Sequence, residues 1–202
     1  MLNVSSALAA LAIAGAMGAV GATSATAAAG PAGATDSATP MVATDIKLVN
    51  ASFEEPANGS RTPGWFGTQH YGATRDYEWA VVTDAASDGK ASYRIKRLRP
   101  QVFGMINQGV AVEEYKGKTL EYSAMMKTDD VGPEGWLLVV NIESRNALLE
   151  QVRSVPATGK HDFKRYSVRF KLPADAYELK LGVMLLDAGT GWVDDVKLRV
   201  LD

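Results

Sequence analysis

The chain has 202 residues, 47% of them hydrophobic, a net charge of −2 and no cysteine. This is enough for one domain with a real core, and it excludes disulfides, thiol catalysis and cysteine-ligated zinc. The near-neutral body lacks the basic footprint of a nucleic-acid binder and the basic amphipathic helix of a membrane-surface binder.

Residues 1–43 are Ala/Gly/Ser/Thr-rich and carry one acid, Asp36, and no Lys or Arg. The apolar run Ala7 to Val20 has the length of a signal-peptide h-region, and Ala25-Thr26-Ala27 fits the small-x-small rule for cleavage. Residues 1–27 are therefore expected to be a signal peptide, although a basic n-region is missing, and an uncleaved N-terminal anchor is the alternative. Residues 28–44 read as a flexible linker. The expected location is outside the cytoplasm, either secreted, periplasmic or extracellular.

From residue 45 to 202 the pattern changes to period two, with frequent turn signals. "IKLVNASFE" opens the domain and "PANGSRTPG" is a loop. "DYEWAVVTD", "ASYRIKRL" and "VFGMINQGVAV" follow as strands. "KTLEYSAMMKT" sets Leu120, Tyr122, Ala124 and Met126 on one face, while "GWLLVVNIES" is more uniformly apolar and suits a central strand. "ALLEQVRSV", "HDFKRYSVRFKL", "ELKLGVMLLD" and "GTGWVDDVKLRV" complete ten or eleven strands. "AVEEYKGK" has room for one helical turn. Many short strands without long helices predict an all-β antiparallel sandwich or jelly roll.

The order of motifs resembles the galactose-binding-like jelly rolls of carbohydrate-binding module families four, nine, sixteen and twenty-two. "LVNASFEE" is similar to the group's Asn-x-Gly-Phe-Glu opening, with Ser52 in place of Gly. "SDGKASYRI", "FGMINQGVAVEEYKGKTLEYSAMMKT" and "GWVDDVKLRV" match three later segments. In that group a calcium ion commonly ties the first strand to the last. The resemblance implies a site built on Asp194 and Glu54, with backbone oxygens near Gly89 and Lys90. By simple alternation Asp194 shares parity with Val196 and Leu198 and points inward, where a lone ionised carboxylate is costly. Two readings stay open: Ca²⁺ with oxygen ligands, or a metal-free cap that accepts backbone N–H bonds. Trp192 shares that parity and is expected in the core, and Asp195 is expected to face water.

The resemblance also implies a sugar ligand, held by stacking on aromatic rings and by hydrogen bonds from planar polar groups. Trp65 and Tyr71, in a loop-rich stretch, are the aromatic candidates. Asn107, Asn141, Glu143, Gln151 and Arg153 are the polar candidates on the sheet face away from the core. His70, beside Tyr71, is a further donor. Outward polar residues are also what any solvated sheet face carries, and loop aromatics also plug sandwich ends. No catalytic constellation is evident: there is no Gly-x-Ser-x-Gly elbow and no phosphate loop, and a Glu143–Glu150 pair for glycoside hydrolysis needs both on one face. The expectation is a secreted, non-catalytic module that binds a poly- or oligosaccharide. The alternatives are an envelope module of the same fold with a protein partner, and a small polysaccharide lyase or hydrolase.

Overall fold

The computed structural model describes residues 43–59, 61–72 and 74–202. The expected signal peptide, and the linker as far as Val42, lie outside the described residues. Among the described residues ten strands run as β1 (Thr44–Ile46), β2 (Phe66–Gln69), β3 (Tyr77–Val82), β4 (Ser92–Arg97), β5 (Gly104–Ala111), β6 (Thr119–Glu143), β7 (Leu148–Arg153), β8 (Ala157–Lys171), β9 (Glu178–Leu185) and β10 (Thr190–Val200). Every pairing is antiparallel. One 3-10 turn at Glu113–Tyr115 occupies the stretch expected to hold a helical turn. The all-β sandwich expected from the sequence is the observed fold.

β6 is the residue run that makes the two layers one sheet. Its 25 residues would extend about 80 Å if straight, far beyond a domain of about 160 residues with a radius of gyration near 15 Å. It must therefore bend. Positive φ at Asp130 (55°) and Gly135 (85°) lies between the segments that pair with different partners. The C-terminal half pairs β9 and β7, giving a layer ordered β2-β5-β9-β6-β7. The N-terminal half pairs β8 and β10, and β10 carries β4 and then β3.

The core lies between these layers. One side supplies Leu120, Tyr122, Ala124 and Met126, the face expected from alternation. The other supplies Ile106, Leu138, Val140, Ile142, Leu181 and Val183. Tyr122 and Tyr77 are buried, and their hydroxyls donate to the carbonyls of Gly182 and Leu185, so neither buried oxygen is left without a partner.

Candidate functional site

The layer β2-β5-β9-β6-β7 has a second apolar surface on its far side. Leu137, Val139 and Met184 are buried there, with Phe103, Met105 and Leu186 packed against them. This explains why "GWLLVVNIES" is apolar at both parities: alternate residues serve the core and the floor of an external groove. The groove holds about 550 Å³ and is lined also by His70, Val102, Glu134, Asn141, Gln151 and Arg153.

Strand register assembles it. One row across the layer reads Phe66, Asn107, Gly182, Val139, Arg153, and the next reads Lys180, Asn141, Gln151. Gly182 carries no side chain, and a Cβ there would stand 2.8 Å from Met105 Sδ and 2.9 Å from Val139 Cγ1. It is the lowest point of its row.

Polar groups line one edge as a chain. Arg153 Nε donates to Gln151 Oε1 at 2.8 Å, and Gln151 Nε2 donates to Asn141 Oδ1 at 2.8 Å. Three of the expected sugar contacts, Asn141, Gln151 and Arg153, are thus brought together. Asn107 lies in the same row but is turned to the neighbouring strand, donating to Phe66 O at 3.3 Å. Glu143 lies farther along, ion-paired with Lys180 at 2.8 Å, and its carboxylate holds the Lys180 ammonium above its ordinary pKa. Glu150 lies opposite Ile142, a core residue, so it does not share a face with Glu143. This arrangement does not make a hydrolytic carboxylate pair.

The aromatic expectations need correction. Trp65 is not a stacking platform: it is 2% exposed, its ring lies 5.2 Å from Phe53, and its Nε1 donates to Asn50 O. A ring this large is drawn into the end of the sandwich by the area it removes from water. Tyr71 is 81% exposed and lies beside His70, outside the groove lining. His70 does line the groove, with its ring 5.5 Å from Phe103. Met105, Met184, Phe103, Leu186 and Glu134 were not singled out from the sequence. For the first four the available signal was apolar residues at both parities near the strand ends.

Asp194 also differs from its expectation. Met125 pairs with Asp194 and Ser123 with Lys197, so two residues of β10 oppose one of β6. This is a β-bulge, with Asp195 at φ 44°. The extra residue inverts parity. Asp194 faces the same side as Lys197, away from the core, and is buried instead by the loop before β4. Trp192 is likewise on the outer side, half-buried with Lys127 Nζ 5.8 Å from its ring centroid, not in the core. Asp195 is half-buried and ion-paired with Arg165 and Lys197.

The donor set around these carboxylates decides the fit to a cation. Asp194 Oδ2 accepts from Ser87 N (2.7 Å), Ser87 Oγ (3.0 Å) and Asp88 N (2.9 Å), and Oδ1 accepts from Asp195 N. Glu54 Oε1 accepts from Lys90 N and Ala91 N, both at 2.8 Å. Lys90 thus presents its N–H to Glu54. N–H and O–H hydrogens occupy the directions a hard cation needs as lone pairs at Asp194 Oδ2 and Glu54 Oε1, so these two oxygens do not fit a calcium ion. Both carboxylates cap backbone N–H groups of the loop before β4.

No protein-family model matches the chain, and no curated protein matches it. Solved structures share its fold. The first family-22 xylan-binding module of xylanase 10C from Paenibacillus barcinonensis is 15% identical with a TM-score of 0.53, covering 79% of this chain and 98% of that one. A Stig cyclase from Fischerella sp. TAU, in complex with a pyrrolidinylidene-indole, is 14% identical with a TM-score of 0.55, covering 78% and 98%. The enzymatically active domain of bacteriophage CBA120 tailspike protein 4 is 16% identical with a TM-score of 0.58, over 75% of this chain and 21% of that one. This chain therefore spans about a fifth of the tailspike domain. At these identities the shared property is the architecture, an antiparallel jelly roll.

Proposed function

We propose that the groove binds a poly- or oligosaccharide and that the protein is a non-catalytic binding module acting outside the cytoplasm. The observation that carries this is the groove itself: an open trough with an apolar floor and a chain of planar donors along one edge. Sugar rings offer an apolar face and equatorial hydroxyls, which such a surface complements. The likeness to xylan-binding modules supports a glycan as partner, and the Ala-rich leader supports export. Among the candidate contacts, Asn141, Gln151 and Arg153 serve as the polar edge, while Phe103 and the methionines supply the apolar floor.

Native affinity electrophoresis through gels containing a panel of polysaccharides tests this. Retention by at least one, reduced in Gln151→Ala, is expected, whereas free migration through every gel overturns it. A second reading is favoured by one feature: among the groove-lining residues Phe103 and His70 are the rings, and the rest of the floor is aliphatic or thioether. A small apolar molecule of the kind bound by the Stig cyclase complements that floor, and Glu134 and His70 are the titratable groups an enzyme would use. Turnover of such a molecule, lost in Glu134→Gln, would establish it.

A further inference from the structure

The three-residue chain at the groove edge has a direction that chemistry fixes. An arginine side chain has five N–H donors and no acceptor. Whatever touches Arg153 Nε must therefore accept, so the Gln151 oxygen faces Arg153 and its NH₂ faces Asn141. That NH₂ donates, so the Asn141 oxygen is turned toward it in the same way. Both amide orientations follow from the arginine alone.

The consequence is a rim whose two amide oxygens each commit one lone pair to an internal bond. Donors predominate among the groups left for a ligand: Nη1 and Nη2 of Arg153, the second hydrogen of Gln151 Nε2 and both hydrogens of Asn141 Nδ2, beside one remaining lone pair on each amide oxygen. Among the described residues no carboxylate pairs with Arg153, while the neighbouring cation of the next row, Lys180, is held by Glu143. The acidic groove residue, Glu134, lies five residues back along β6 from Val139, the cross-strand partner of Arg153. A neutral sugar hydroxyl both donates and accepts, and is matched by mixed edges. A donor-rich edge ending in an uncommitted guanidinium fork matches a group that only accepts and carries negative charge.

We infer that the groove selects a glycan bearing carboxylates, a uronic-acid chain, with the Arg153 fork taking the carboxylate and Gln151 and Asn141 donating to its ring and hydroxyl oxygens. This rests on the reading of the groove as a sugar site. The Nε bond to Gln151 orients the guanidinium before the ligand arrives, which lowers the ordering cost of a long side chain.

The test is calorimetric titration of the full chain with oligogalacturonate, oligoglucuronate and oligoalginate, each paired with its carboxyl-reduced counterpart, and with xylohexaose and a sulfated neutral galactan oligomer. At least one acidic oligomer is expected to bind roughly tenfold more tightly than its reduced form, the scale of one charge-assisted pair, with the gap shrinking as salt is raised. Arg153→Gln should close the gap, and Arg153→Lys should restore part of it by charge without the fork. Both variants should keep the parent thermal midpoint, because Arg153 is exposed. Equal affinity for acidic and reduced partners overturns the selection for carboxylates and leaves the sugar reading standing. Tighter binding of the sulfated oligomer overturns the carboxylate assignment. Silence with every oligomer overturns both this inference and the sugar reading.

Discussion

Asp194 and Ser87 lie 107 positions apart in the chain, and both the N–H and the hydroxyl of Ser87 donate to the same carboxylate oxygen of Asp194, at 2.7 and 3.0 Å. With Asp88 N and Asp195 N, the carboxylate closes the loop before β4 onto the bulge of β10. Asp194→Ala leaves these donors facing a void, and stability should fall by about 2–3 kcal/mol in urea denaturation. Because the cap is made by N–H groups, millimolar calcium and a chelator should both leave the wild-type thermal midpoint where it is. A calcium-dependent rise of several degrees would mean that the loop reorganises to ligate the ion.

Two glycines lie flat against core rings. A Cβ on Gly104 would stand 2.5 Å from the Tyr77 ring, and one on Gly191 2.7 Å from Trp136. Neither ring can retreat: Tyr77 and Trp136 are fully buried, and both bond through their polar atoms to backbone carbonyls. Gly104→Ala and Gly191→Ala should each cost about 1–3 kcal/mol, the range for overpacking a filled core, read as a lower urea midpoint.

The sequence carried the layered fold because its strands alternate cleanly where one face is wet: Leu120, Tyr122, Ala124 and Met126 face the core as their spacing says. It also carried Asn141, Gln151 and Arg153, polar residues with one parity on adjacent strands. Asp194 and Trp192 were misplaced because a bulge adds one residue, and parity arithmetic cannot see an extra residue without the partner strand. Trp65 was misplaced because loop composition says nothing of what lies beneath, and here Phe53 does. The groove floor was illegible for a related reason: apolar residues at both parities read as a strand buried on both faces, whether protein or ligand covers the second.

Glu121 sets an acid limb of the stability curve. It is buried on the outer side of β6 beneath Arg169 and Arg199, both ion-paired with it. The hydrogen bond from Arg169 lowers its pKa most, burial opposes, and Arg199 lowers it further, leaving the net value below the ordinary 4.5. The unfolded chain takes up the proton first as the pH falls. The contribution of Glu121 is therefore complete above about pH 4.5 and is lost as the pH drops through the depressed value. Asp194 acts with the opposite sign. Burial outweighs its N–H partners and raises its pKa from 3.8, so the part of its contribution that depends on pH is present below 3.8 and lost as the pH rises through the raised value, while its bonds to the loop remain. Glu121→Gln should flatten the fall in urea midpoint between pH 5 and pH 3, and an unchanged slope would remove Glu121 from the acid limb.

Gly182 gives a substitution of the same chemistry as Gly191→Ala with a different expected outcome. The new methyl group would meet Met105 Sδ and Val139 Cγ1, side-chain atoms on the groove floor, and Ile106 O at 3.3 Å. The Met105 thioether moves at little cost, while Val139 is β-branched and 1% exposed and yields less readily, so Gly182→Ala should lose about 1–2 kcal/mol of stability. The displaced Met105 and the added methyl would occupy the lowest point of the row from Phe66 to Arg153. A ligand seated there loses its apolar contact over that area, and retention in the affinity gels should weaken by about tenfold, the order of one or two buried methylene groups. Gly191→Ala should also lose stability, but with ordinary retention of the folded fraction. If Gly182→Ala binds as the parent does, the ligand does not cross the centre of the groove, and the contact must lie toward His70 or over the exposed ring of Phe66.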